Sequence, residues 1–301
     1  MRKQLPKTFL ELGADENLAV FIGDISHFAL RDFQAKYPKR FYNLGMAEQA
    51  MISMASGMAM KGFFPVVHTI APFVTERTLE QIKDDLCYQQ LGVNIVSIGA
   101  AFDYAALGCT HHCYDDFAIL RAQPTMQVIY PGASHEFDAL FKQAYNNGFP
   151  KYFRLSEHEH KIKTNPVFGE AEKLREGGHV TIAVAGPQLQ NAYDAAGELS
   201  KENISCDLIY ITTLKPISEK SQKMIADSLK KTGKLVTVEE HSVIGGLADA
   251  IALIAQDIPF MGKRVGIQDK FLINYGTYEE HCKANGLTCE GIIEAIHEIQ
   301  R

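Results

Sequence analysis

Four short strings in this 301-residue chain bring together residue types that could do chemistry. In Gly45-Met-Ala-Glu-Gln49 an acid, Glu48, stands among small and apolar residues at the start of an Ala- and Met-rich run reaching Gly62. An acid in a first helical turn complements the helix macrodipole. In apolar surroundings, burial raises a carboxyl pKa and keeps it a hydrogen donor near neutrality. In Cys109-Thr-His-His-Cys113, His111 and His112 are candidate acids, bases or ligands. A structural zinc site draws a second ligand pair at fixed spacing, and the sequence shows none, so no metal site is read. Glu157-His-Glu-His160 lies in a charged stretch and reads as solvated linker. Glu239-Glu-His-Ser-Val-Ile-Gly-Gly246 has glycines for tight turning but neither G-x-G-x-x-G nor a P-loop Lys. That loop is read as structural first, with His241 a candidate contributor to a site.

Strand and helix patterns must position these residues. Short β-branched runs at 66–69, 93–98, 126–130 and 152–155 read as buried strands. Helical patterns fall at 46–61, 75–91, 114–121 and 134–146, the first behind a short strand ending at Gly45, with Gly62 as its C-cap. Strands resume at 180–185, 206–211, 235–238 and 264–267. Between the two series, 156–178 has a linker composition. Strand–helix alternation predicts right-handed crossovers and parallel sheets covered on both faces. The expected fold class is α/β: two doubly wound, mainly parallel-sheet domains at 1–155 and 179–301, joined by a 156–178 linker.

Composition excludes other classes. A net charge of −6 gives no basic face for nucleic acid. Apolar residues at 46% and charged residues at 22% are the balance of a globular protein. No run approaches about 18 apolar residues, so no membrane span is expected. Six scattered cysteines without framework spacing, and no apolar signal core after Met1, point to reduced thiols in the cytoplasm.

The strings taken together resemble one family. Gly45-Met-Ala-Glu-Gln49 with Ala55-Ser-Gly-Met-Ala59, then 69–82, 108–112 and 238–247, are similar in order and spacing to transketolases and deoxyxylulose-phosphate synthases. The resemblance implies a pyrimidine-binding domain and a transketolase C-terminal domain. It also implies thiamine diphosphate, which reacts through a carbanion at its thiazolium C2 that its own 4′-imino group generates. Glu48 matches the family's acid that hydrogen-bonds the pyrimidine N1′ and favours the imino tautomer. The protein then supplies the switch and the cofactor the electron sink.

Further roles follow from the same likeness. Phe73 falls where the family stacks an aromatic ring on the pyrimidine, in register with Arg77. Ile70 stands where a second aromatic is common. His111 matches the family's substrate-contacting histidine, and His112 replaces the following Gln. Leu107 replaces an Asp that contacts a substrate hydroxyl. Where the family holds a sugar phosphate, the matching positions are Glu157, Phe28, Gly99 and Arg2, of which only Arg2 keeps a cation. A carboxylate there repels phosphate.

One half of the family's site has no counterpart. The Gly-Asp-Gly…Asn motif that holds the diphosphate and Mg²⁺ is missing, because Gly23-Asp24 is followed by Ile25. The resemblance therefore implies a partner, an N-terminal subunit carrying Gly-Asp-Gly…Asn, in an α₂β₂ assembly with the cofactor at the junction. The expected function is the C-terminal subunit of a two-component transketolase moving a two-carbon ketol unit between sugars, unphosphorylated or nucleotide-linked ones among them. The alternatives are a 2-oxoacid dehydrogenase β-subunit, a deoxyxylulose-phosphate synthase relative, or a non-catalytic scaffold of the same fold.

Overall fold

The computed structural model describes residues 1–300. Among these residues, twelve strands form two sheets. The first six are β1 (Leu18–Ile22), β2 (Phe41–Asn43), β3 (Phe64–Ile70), β4 (Asn94–Ile98), β5 (Gln127–Ile129) and β6 (Lys151–Arg154). The second six are β7 (Ala171–Arg175), β8 (Val180–Val184), β9 (Cys206–Ile211), β10 (Thr213–Lys215), β11 (Lys234–Ser242) and β12 (Met261–Ile267). Every residue of β1, β4, β5, β6, β8 and β9 is buried, as expected for parallel strands with helices on both faces.

The first sheet runs β10-β5-β6-β4-β3-β1-β2 and the second β12-β11-β8-β9-β7. Each carries one antiparallel edge strand, β10 against β5 and β7 against β9. Among the described residues, no helix is long and apolar enough to cross a membrane.

Three departures from the sequence pattern bear on the site. The 156–178 stretch contains β7, whose residues alternate too weakly to read as a strand and gain their ladder only from β9. Strand β10 follows β9 by one residue yet joins the other sheet, so the first sheet ends on a strand from the second half of the chain. The helical pattern at 75–91 breaks into Ala71–Thr75, Leu79–Gln81 and a wide-turned Ile82–Cys87.

A buried polar seam locks the halves together. Arg154, at the end of β6, pairs through Nε with Asp116 Oδ2 at 3.1 Å, both side chains fully buried. Its Nη2 donates to the carbonyls of Cys113 and Glu240, each at 2.9 Å. Its guanidinium lies 4.4 Å over the Phe117 ring and 4.7 Å over Tyr130. Glu240 accepts from Tyr130 at 3.1 Å, Gln188 at 2.8 Å and the Tyr278 hydroxyl. Charged groups this deep persist only when paired and hydrogen-bonded.

Candidate active site

In open parallel sheets, ligands bind outside the carboxyl ends of the strands, where the strand order reverses. Here the reversal lies between β1 and β3, because the chain goes to β2 on one side and to β4 on the other. The segments leaving β2, β3, β4 and β6 carry Glu48, Phe73 with Arg77, His111, and Glu157 respectively.

Glu48 opens the helix Glu48–Ala59, where its carboxylate meets the positive end of the macrodipole. Its side chain is 1% exposed, and Arg77 Nη1 donates to its Oε2 at 2.8 Å. Its other oxygen, Oε1, is buried without a hydrogen-bond partner among the described residues. An unmatched carboxylate oxygen in a buried setting costs free energy unless a ligand donates to it. The Arg77 guanidinium also lies 4.4 Å over the Phe73 ring. Phe73 meets His111 edge-on, with ring centroids 5.4 Å apart.

The row continues from His111. Its Nδ1 is 2.9 Å from Thr110 Oγ1, and its ring is 6.4 Å from that of Tyr104. The Tyr104 hydroxyl lies 3.5 Å from Glu157 Oε1, and Arg2 Nη1 is 3.8 Å from the same oxygen. Gly99 has φ +78°, and a Cβ there would lie 2.6 Å from the Tyr104 ring, so this aromatic occupies the space over the strand exit. Ile70, nearly buried at the end of β3, borders the same glycine. Gly108, at φ +74°, passes under the Tyr275 ring, which a Cβ would meet at 2.7 Å. Leu107 and Phe28 are exposed.

Two predicted residues sit elsewhere. His112 is buried, with both ring nitrogens unpartnered, and meets His281 edge-on at 5.4 Å. Burial lowers its pKa, with His281 and His111 adding to the effect. His241 stacks on Phe117 at 4.8 Å and accepts from the Ala118 amide at 3.3 Å. Burial pushes its pKa down to about 3, and Arg154 adds to the shift. Its neighbour Glu239 caps the helix Leu247–Ile254 by accepting from the Leu247 and Ala248 amides. His241 belongs to this packing.

The reading of Glu157-His-Glu-His160 as solvated holds for the exposed Glu157 and Glu159 and needs correction at His160. His160 is buried beside Glu136 Oε1 at 3.1 Å, and Glu159 receives the Met1 amine and the Ser134 amide. His158 stacks on Tyr278 with ring centroids 3.5 Å apart. The segment anchors both the N-terminus and the second half of the chain.

Sequence reasoning missed Asp103, Tyr104 and Tyr275. A Phe-Asp-Tyr string shortly after a strand exit was the signal for the first two. Nothing local marks Tyr275, which arrives from the segment after β12.

The fold and this row of side chains define a class: an α/β chain with two mainly parallel sheets and an acid, an aromatic ring, an arginine and a histidine gathered at the carboxyl edge of the first. Residues 11–162 match the family model described as transketolase, pyrimidine binding domain, and residues 169–292 match the transketolase C-terminal domain. The chain is 31% identical over 304 residues to an apulose-4-phosphate transketolase subunit of Phocaeicola vulgatus, covering 99% of this chain and 96% of that protein. It is 33% identical over 276 residues to the 6-deoxy-6-sulfo-D-fructose transketolase subunit of a Clostridium species, covering 90% and 84%. A solved split-gene transketolase, described as an inactive β4 tetramer, superposes with a TM-score of 0.86 at 32% identity, covering 99% and 97%. A Campylobacter jejuni transketolase shares the fold at 18% identity with a TM-score of 0.82, and the chain spans 46% of it. The chain belongs to the transketolase family, as the subunit that carries the pyrimidine-binding and C-terminal domains.

Proposed function

We propose that this chain supplies the pyrimidine half of a thiamine diphosphate site and completes it with a second subunit that holds the diphosphate and Mg²⁺. The assembled enzyme transfers a two-carbon ketol unit between sugars. The observation that carries this reading is the buried, unpartnered Oε1 of Glu48, whose other oxygen is tied by Arg77 to the Phe73 ring. An acid and an aromatic face are the donor set that a protonatable pyrimidine ring requires. The cofactor, when bound, supplies the electron sink for cleavage beside a ketone. Glu48 would hold the pyrimidine N1′, Phe73 and Ile70 would wall the ring, and Arg77 would fix the carboxylate. His111, between Phe73 and Tyr104, would hydrogen-bond the substrate's oxygens.

The substrate end favours a sugar without a terminal phosphate. Glu157 offers a carboxylate there, and it engages Arg2, the cation of that corner. The relatives are named for a phosphorylated and a sulfonated sugar, so likeness alone does not fix the substrate.

Isothermal titration with thiamine diphosphate and Mg²⁺ tests the shared site. The lone chain should bind weakly and turn over no substrate, and adding the partner subunit should restore stoichiometric binding. Tight binding by the lone chain overturns the reading.

A further inference from the structure

The loop between Ile98 and Cys113 carries Tyr104, Leu107 and His111, yet has little regular structure of its own. It makes two short 3₁₀ turns, Ala105–Leu107 and Cys109–His111, and a single bridge between Ala101 and Cys113. Such a loop must be held from outside if a side chain on it is to keep its place.

One carboxylate does much of the holding. Asp103 Oδ2 accepts from the Ala100 amide and from the Glu157 amide, each at 3.0 Å. Asp103 Oδ1 accepts from Ser156 Oγ at 2.8 Å, and that hydroxyl in turn accepts from the His158 amide at 3.1 Å. The loop that bears His111 is thus tied to the exit of β6, where Glu157 stands. The next residue, Tyr104, spans the same gap with its side chain, from the His111 ring to Glu157.

We propose that Asp103 is a positioning residue for the substrate end of the site: it fixes the His111 loop against the Ser156–Glu157 backbone without touching substrate. The proposal rests on the substrate-facing roles proposed for His111 and Glu157. Bonding to backbone amides on both segments fixes distance and orientation together, and small misplacements of such groups slow catalysis steeply. An amide can replace the carboxylate, because its oxygen takes the two N–H donors and its NH₂ donates to Ser156 Oγ. A methyl group cannot.

The test compares Asp103→Ala with Asp103→Asn in the chain reconstituted with its partner subunit. Asp103→Ala should raise the donor KM about tenfold or more, in the range of effects from misplaced groups, while thiamine diphosphate affinity stays unchanged. Asp103→Asn should return KM to within about threefold of the native value, since the donor pattern is kept. An unchanged KM in Asp103→Ala overturns the proposal, as does an equal loss of cofactor affinity, which would mark a general structural role. Amide hydrogen exchange read on the chain itself separates this proposal from the functional reading. Asp103→Ala should speed exchange across 100–112 about tenfold or more, as local opening predicts, and leave the Glu48–Ala59 helix unchanged. Where Asp103→Ala does not fold, Ser156→Ala removes one of the three bonds and should raise both readouts in the same direction. Native exchange rates in the foldable variant overturn the clamp, whatever the enzyme's substrate.

Discussion

Arg77 holds Glu48 from one side only: its Nη1 donates to Oε2 at 2.8 Å, and Oε1 is left buried and unmatched. The same guanidinium covers the Phe73 ring. One side chain therefore fixes both the acid and the aromatic face. A planar fork can do this, and a point charge on a flexible stem cannot.

Glu48→Gln keeps the shape but removes the group that can share a proton with the ring. Activity of the reconstituted enzyme should fall about 10²-fold or more, the range of general acid–base contributions. Hydrogen–deuterium exchange at the cofactor C2 is the direct readout. An unchanged exchange rate would leave Glu48 as a helix-start acid only.

Arg77→Lys keeps the charge and loses the fork and the ring cover. A fall of about tenfold is expected, as for loss of a bidentate or stacked arginine. Because Arg77 acts through Glu48, the double variant with Glu48→Gln should be close to Glu48→Gln alone. Additive losses in that cycle would show two independent roles.

The fold class was legible because parallel strands buried on both faces read as runs rich in β-branched and apolar residues, as at 180–185 and 235–238. The family resemblance pointed to Glu48, Phe73, Arg77 and His111 together, and the folded chain sets them in one row. Strand β10 was not legible, since three residues after β9 give no sign that they pair with the other sheet. Nor was the broken helix after Thr75, where neither Gly nor Pro marks the interruptions. The anchoring of Glu159 and His160 was hidden for a related reason: composition marks a segment as polar but does not name its partners. Those partners, Met1 and Glu136, lie far off in sequence.

Arg154 and Asp116 form a fully buried pair within the first half, and Arg154 also donates to the Glu240 carbonyl of the second, so breaking the pair should loosen both. Asp116→Asn leaves the guanidinium buried with a neutral partner. A loss of about 3–5 kcal/mol is expected for breaking a fully buried pair. Urea unfolding measures it, and a change below about 1 kcal/mol, the scale of an exposed pair, would refute the assignment.

His68 gives the chain an acid-sensitive point. It is fully buried, with Nδ1 2.7 Å from the Val96 carbonyl and Nε2 3.0 Å from Ser26 Oγ, and burial pushes its pKa down to about 4. The unfolded chain takes up this proton near pH 6.5 and the folded chain does not. His68's contribution is therefore complete above pH 6.5 and drains as pH falls towards 4. Comparison with His68→Gln isolates it: the native advantage over the variant should shrink by about 2 kcal/mol between pH 7 and 5. A constant difference across that range would mean the imidazole takes up its proton as readily in the fold as in the unfolded chain.

The last expectation concerns what the site accepts. Of the positions where the family holds a sugar phosphate, Phe28 is exposed apolar surface and Gly99 lies under Tyr104. Arg2 is drawn to Glu157 at 3.8 Å, so the cation kept at this corner faces a carboxylate. A phosphate arriving there meets that carboxylate without the charge-assisted donors it needs. The reconstituted enzyme should therefore use unphosphorylated ketoses or nucleotide-linked keto sugars in preference to xylulose 5-phosphate. Glu157→Gln should raise kcat/KM for xylulose 5-phosphate about tenfold, the scale of one like-charge contact near a protein surface, and leave the unphosphorylated ketose little changed. The charge, not the shape, then sets the preference. A micromolar KM for xylulose 5-phosphate in the native enzyme, with the unphosphorylated ketose disfavoured, would show that other groups recruit the phosphate and that Glu157 does not repel it.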